Sequence, residues 1–311
     1  MSKRLILFIL APVLIVLGAL GLYARDPAPL DAESFAALYT EPAPSIDGPR
    51  QVYHLGHSLV GRDMPAMLAQ LAGEGHGFAS QLGWGATLRS HWDPDVPVNG
   101  FEQENAHDKY RDAHEAVGSG AYDALVLTEM VEIADAVRYH DTPVHLHNWE
   151  RKAHAQGAAV YLYETWHPLN DPVGWLTRLD RDRQLYWEDA VLRPALARAD
   201  EPRPIYVIPG GQVMAAFARA LEEEGPVGPL ESYSDLFSDN IHFNDYGAYL
   251  MALTHYAVLY QRAPIGLPHQ LLRADGTSAD DPGLQAAALM QRVVWDVVSN
   301  SPMTGVPAAF Q

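Results

Sequence analysis

Three side chains in this 311-residue sequence have the types and positions for nucleophilic catalysis: Ser58, Asp239 and His242. Ser58 stands in Gly56-His57-Ser58-Leu59, directly after the apolar run Gln51–Gly56 (QVYHLG). A serine beside glycine, just past a buried strand, can sit in a tight turn with its hydroxyl exposed. N–H groups of the turn and of the following helix then face the point where an oxyanion develops. Alone, Gly-x-Ser-Leu reads more readily as a turn or capping serine. The segment Ser238-Asp239-Asn240-Ile241-His242-Phe243-Asn244 shifts that balance. Its aspartate and histidine are spaced so that one turn of chain sets the carboxylate against the imidazole. The carboxylate fixes the ring's tautomer and stabilises the cation formed when the ring takes the serine proton. Asn244 or Asp245 is expected to cap the apolar helix that follows, a role that does not compete with the catalytic one.

These residues need a scaffold that brings them to one edge. Strand-like runs occur at Gln51–Gly56, Tyr122–Thr128, Ala158–Glu164 and Pro204–Pro209, with a weaker one at Phe78–Leu82. Most are β-branched or aromatic runs of the kind buried on both faces in a parallel sheet. Helical segments are expected at about Met64–Gly73, Asn105–Gly118, Pro143–Gln156, Arg181–Arg198, Gln212–Glu224, Asp245–Gln261 and Gly283–Ser299. The alternation predicts a doubly wound α/β sheet with helices on both faces. Ligand sites in such sheets form beyond the carboxyl ends of the strands. That places function in the loops that start at Gly56, Gly83, Thr128, Thr165 and Gly210.

A first-strand Gly-x-Ser-Leu, with Asp-x-x-His before a late helix, resembles the SGNH/GDSL hydrolases, in element order over residues 50–262. The resemblance implies a flavodoxin-like three-layer α/β/α fold and ester hydrolysis through an acyl-enzyme. It implies Ser58 as nucleophile, His242 as base and Asp239 as the group that orients it. It also implies an oxyanion hole from the Ser58 N–H, a glycine N–H and an asparagine side chain. Gly83-Trp84-Gly85-Ala86-Thr87-Leu88 is similar to the family's glycine block, with Gly85 as its donor. The chain departs from the pattern twice. His57 stands where the family has aspartate. The family's Gly-x-Asn-Asp is replaced by Thr128-Glu129-Met130-Val131-Glu132. Thr128 is therefore the candidate third donor. Glu129 is expected in the pocket or just behind it, where an ionised carboxylate would oppose an oxyanion and a protonated one could assist it. His57, Trp166 and His167 complete the expected pocket.

Other features narrow the function. His145, His147, Glu150 and His154 share a predicted helix but match no sharp metal motif, and read as a solvated face; no metal is expected. No phosphate-binding glycine loop is present, and the proposed chemistry needs no cofactor. Trp84 and Trp92 lie near the glycine block, where exposed aromatics would suit sugar rings. There are no cysteines, so disulfides, thiolate metal sites and a cysteine nucleophile are excluded. Asp plus Glu number 39 against 21 Lys plus Arg, and a formal charge of −18 makes nucleic acid an unexpected partner.

Lys3 and Arg4 precede an uncharged apolar run from Leu5 to Tyr23, about 28 Å long as a helix. It reads as a signal anchor or a cleaved signal peptide, with the rest of the chain outside the cytoplasm. The expected organisation is residues 1–24 as that segment, 25–49 as a linker with a short helix near Ala32–Tyr39, and 50–311 as the hydrolase-like domain. The expected substrate is an O-acyl ester, a carbohydrate or envelope glycan among the candidates. An acyltransferase, or a non-catalytic binding or envelope-assembly protein on the same fold, are the alternatives.

Overall fold

Five short apolar runs pair side by side in parallel: β1 (Gln51–His57), β2 (Gly77–Gly83), β3 (Ala124–Leu127), β4 (Ala159–Glu164) and β5 (Tyr206–Pro209). Their order across the sheet is β2-β1-β3-β4-β5. β3 is buried at every position and β1 at all but its first, as expected for strands covered on both faces. The computed structural model describes residues 26–44 and 47–307. The apolar segment Leu5–Tyr23, and with it the expected anchor or signal peptide, lies outside the described residues. Among those described, no helix is long and apolar enough to cross a membrane.

Helices cover both faces, giving a three-layer α/β fold. On one face α2 (Asp63–Ala72), α10 (Gly210–Glu224), α11 (Asp245–Tyr260) and α12 (Gly283–Ser299) pack together; on the other lie α3 (Leu88–Trp92), α5 (Ala113–Gly118), α6 (Ile133–Tyr139), α7 (Thr142–His154) and α9 (Arg193–Leu196). Every residue of α11 from Gly247 to Tyr260 is buried, so it is a core helix and not an amphipathic surface one. It lies between α2 and α12. The chain order reverses direction between β1 and β3, so the crevice above the end of β1 is the topological switch point, where such sheets bind ligands.

Three expected elements differ. Of the helix expected over Asn105–Gly118 only the end is helical, α5; residues 105–112 form a loop, and a separate short helix, α4 (Phe101–Glu104), precedes it. The cause is the open edge of β2. The Asn105 side chain donates to Leu82 O and accepts from Leu82 N, and Lys109 to Arg111 pair with Ser80. An edge strand's unpaired backbone groups take these partners in place of helical ones. The helix expected over Arg181–Arg198 is α8 (Trp175–Asp182), then a π-helical stretch Arg183–Leu192, then α9, in which Pro194 has no N–H to donate.

The expected linker is, in its described part, integral to the domain. Asp31 caps α1 (Ala32–Ala37) by accepting from Ser34 N, and Phe35, Tyr39 and Ala43 are buried. The Tyr39 hydroxyl donates to Ile205 O at 2.9 Å and Ala43 N to Gly305 O at 2.8 Å. We expect Phe35→Ala to lower the unfolding free energy by about 3 kcal/mol and Tyr39→Phe by about 1 kcal/mol in urea titrations of the chain from residue 26. No change in either variant would return this segment to the status of a tether.

Candidate active site

Ser58 follows the last residue of β1 and is partly exposed, whereas its neighbours Gly56, His57, Leu59 and Val60 are buried. The turn is closed by Val60 N donating to His57 O at 2.9 Å. A Cβ on Gly56 would come within 2.5 Å of Thr128 Cβ, so only glycine lets β1 lie this close to the end of β3. The His57 ring ties the same two strand ends together. Its Nε2 lies 2.8 Å from Glu129 O, and its Nδ1 lies 3.3 Å from Leu59 N. Leu59 N–H can only donate, so Nδ1 accepts and Nε2 carries the proton that goes to Glu129 O. Burial pushes the His57 ring down to about 4, which keeps it neutral in this arrangement.

His91 braces the turn from the other side. Its Nε2 lies 2.9 Å from Gly56 O and its Nδ1 lies 3.0 Å from Gln81 Nε2. Burial lowers it also to about 4. Sequence reasoning passed over His91; its position on α3, just after the glycine block, was the available signal.

The structure brings Ser58, His242 and Asp239 together. Ser58 Oγ and His242 Nε2 are 2.9 Å apart, and His242 Nδ1 and Asp239 Oδ2 are 2.7 Å apart. The backbone N–H of His242, its ring N–H and the backbone N–H of Ile241 hold the Asp239 carboxyl down at about 2. Asp239 is therefore ionised at neutral pH and receives Nδ1–H, leaving Nε2 to accept the serine proton. The loop that carries the pair is bound at several points. Trp166 Nε1 donates to Ile241 O at 2.8 Å, Leu169 N to Asn240 O at 2.8 Å, and Ser238 N to His242 O at 2.8 Å. Asn244 then caps α11 through Tyr246 N and Gly247 N.

Gly85 is exposed beyond β2, and Gly83 pairs with His57, so both loops rise from adjacent strand ends. Among the described residues, the N–H groups of Ser58 and Gly85 have no acceptor within the chain. Thr128 differs from expectation. Its hydroxyl is fully buried behind Gly56, without a hydrogen-bond partner, and does not face the open site. Glu129 is also fully buried. Oε1 accepts from Met130 N at 2.8 Å and Leu88 N at 3.3 Å, and Oε2 accepts from the Thr142 hydroxyl at 2.8 Å. It therefore locks the start of α3, the end of β3 and the start of α7, and does not line the pocket.

Trp166 and His167 are likewise not rim residues. Trp166 is fully buried against Phe237 and Phe243. His167 Nε2 lies 3.1 Å from Asp182 Oδ2, in a buried group where Arg178 also meets Asp171 and Glu132. Trp84 by contrast is 53% exposed. No group of residues suited to hold a metal occurs among the described residues, the histidines of α7 included.

No protein-family model matches the chain, and no curated protein matches it in sequence. Among solved structures, a DUF4886 family protein from Bacteroides uniformis is similar at 15% identity. Its TM-score is 0.51, and the match covers 81% of this chain and 96% of that one. Protein YxiM from Bacillus subtilis is 16% identical with a TM-score of 0.41, over 67% of this chain and 55% of that one. The first likeness is one of fold: a sheet-and-helix architecture shared over most of both chains.

Burial pushes the Glu129 carboxyl from its ordinary 4.5 up to about 7. The native state keeps this proton to about pH 7, while the unfolded chain releases it near pH 4.5. The carboxyl's contribution to stability is complete below pH 4.5 and is lost as pH rises through 7. Gln at this position still accepts from Met130 and Leu88 and can donate to Thr142. We therefore expect the unfolding free energy of Glu129→Gln, relative to wild type, to climb between pH 4.5 and 7 by up to about 3 kcal/mol and then level. Urea titrations across that range check it; a flat difference would mean that Glu129 is ionised throughout in the native state.

Proposed function

We propose that this domain is a serine ester hydrolase of the SGNH/GDSL kind, in which Ser58 is the nucleophile, His242 the general base and Asp239 the residue that orients it. One observation carries the reading: the unbroken hydrogen-bonded chain from Ser58 Oγ through His242 to Asp239, open to solvent at the sheet's switch point. A structural histidine on the surface has no need of both an ionised carboxylate on one nitrogen and a serine hydroxyl on the other.

Chemistry follows from the proton positions. Ser58 Oγ attacks the ester carbonyl carbon as its proton passes to His242 Nε2, and Asp239 stabilises the imidazolium. The oxyanion takes the free N–H groups of Ser58 and Gly85. The tetrahedral intermediate collapses, the alkoxide leaves with the proton from Nε2, and the acyl group stays on Ser58. Water then gives its proton to Nε2 and its oxygen to the acyl carbon, and collapse returns the proton to Ser58 Oγ and releases the acid. An alcohol acceptor in place of water gives acyl transfer by the same steps. Glu129 does not oppose the oxyanion, because it is enclosed and its burial favours the neutral acid. We place the domain outside the cytoplasm, carried there by residues 1–24.

Wild-type protein is expected to label with a fluorophosphonate probe, and Ser58→Ala to lose both labelling and at least about 10⁴-fold in ester hydrolysis. Folded wild type that does not label would sink the reading. In Asp239→Asn, Oδ1 keeps its backbone donors while Nδ2 faces His242 Nδ1, which forces the proton onto Nε2. We expect a loss of about 10³- to 10⁴-fold at neutral pH with native folding retained. Recovery of the full-length chain only in the cytosol would refute the proposed location.

A further inference from the structure

Trp84 is the one tryptophan held out in solvent among the large exposed apolar side chains. An idle exposed indole would be mobile; this one is held at its backbone, at its ring nitrogen and on one face. Its backbone N–H donates to Asn99 O at 2.7 Å, and its indole Nε1 donates to Glu104 Oε1 at 2.7 Å. Its inner face lies on Gly100, where a Cβ would fall 2.3 Å from the ring and where φ is +65°, so glycine is required on both counts. The chain thus satisfies the indole's polar atom, supports the ring at Gly100 and leaves about half of the side chain in solvent. Gly83, just before it, pairs with His57, just before Ser58, and Gly85, just after it, carries a free N–H. The platform therefore stands beside the acyl-transfer site.

The ground next to the platform is mixed, with Pro65, Ala66, Phe78 and Leu272 interrupted by Arg62, Asp63, Lys109 and Arg273. Glu104, which holds the indole, also lines a groove of about 830 Å³ that begins at Gly61 and Arg62 and runs past Ser80, His107 and Lys109. Gly61 adjoins the Ser58 carbonyl and the Phe243 ring, so one end of this groove abuts the nucleophile turn. A lipid chain would need a continuous apolar wall. One flat aromatic face bordered by charged and hydrogen-bonding groups instead matches a ring with an apolar C–H face and a hydroxyl rim.

We infer that Trp84 is the stacking platform of a sugar subsite, and that the ester cleaved at Ser58 is a short O-acyl group on a carbohydrate that lies along the groove. This rests on the ester-hydrolase reading. A pyranose stacked on Trp84 sets its acyl oxygen towards Gly85 N–H and the serine, and the rest of the glycan extends over Arg62 and Lys109.

The test compares kcat/KM for acetylated xylotetraose and peracetylated methyl glucoside with that for vinyl acetate, which has no ring to stack. Trp84→Ala should reduce the saccharide-to-vinyl ratio by about 10-fold or more, chiefly through KM, and Trp84→Phe should restore most of it. An unchanged ratio in an enzyme that cleaves vinyl acetate would overturn the sugar subsite and leave the hydrolase standing. If wild type cleaves neither ester class, the hydrolase reading fails. Calorimetry of the same saccharides with Ser58→Ala and with Ser58→Ala/Trp84→Ala then decides the platform by itself. Weaker binding without the indole upholds it, and equal or no binding in both overturns it.

Discussion

The turn at Ser58 keeps its shape only while the His57 ring is neutral. One ring nitrogen must give a proton to Glu129 O and the other must receive one from Leu59 N, and no charged form of histidine can do both. Everything at this edge of the sheet leans on that pair of bonds. They join the ends of β1 and β3, which Gly56 has already brought into contact with Thr128. They hold the backbone on either side of Ser58. They also keep a cation away from His242. Burial supplies the neutrality, and His91 repeats the device on Gly56 O.

The two halves of the site come from opposite ends of the chain. Ser58 belongs to the first strand, and the Asp239–His242 loop follows the last. The loop's position depends on backbone carbonyls being met by groups from the end of β4, of which the Trp166 indole is the most buried. A large aromatic with one donor is well suited to this: its ring fills the core beside Phe237 and Phe243, and its N–H fixes Ile241 at the surface. Glu129 does the corresponding work for the glycine block, through three donors from three segments.

The parallel strands, their approximate limits and the residues at their carboxyl ends were legible in the sequence, because buried parallel strands leave apolar runs and the serine, aspartate and histidine motifs adjoin them. Less legible was which polar residues face inward. His57 ends a strand and Thr128, Glu129, Trp166 and His167 follow strands, where loops carry chemistry, yet each is buried. Strand ends have backbone groups to satisfy as well as substrates to meet, and the same residue types serve both needs. The helix expected at Asn105–Gly118 failed for a related reason: periodicity within a segment does not register a neighbouring strand edge that needs partners. The exposure of Trp84 is set by Gly100 and Glu104, distant in sequence from the glycine block, and no local pattern carries it.

Helix α11 has no polar face, and this bears on when the Ser58–His242 pair can form. As the chain is made, Ser58 and its strand come early and α11 late, and α11 is enclosed only once α12, later still, closes over it. Until then the helix presents apolar surface on the side that α12 will cover. An incomplete chain therefore carries Ser58 without His242 and Asp239. The hydrogen-bonded Ser58–His242–Asp239 group can therefore exist only once the late part of the chain has been made and folded against the early part.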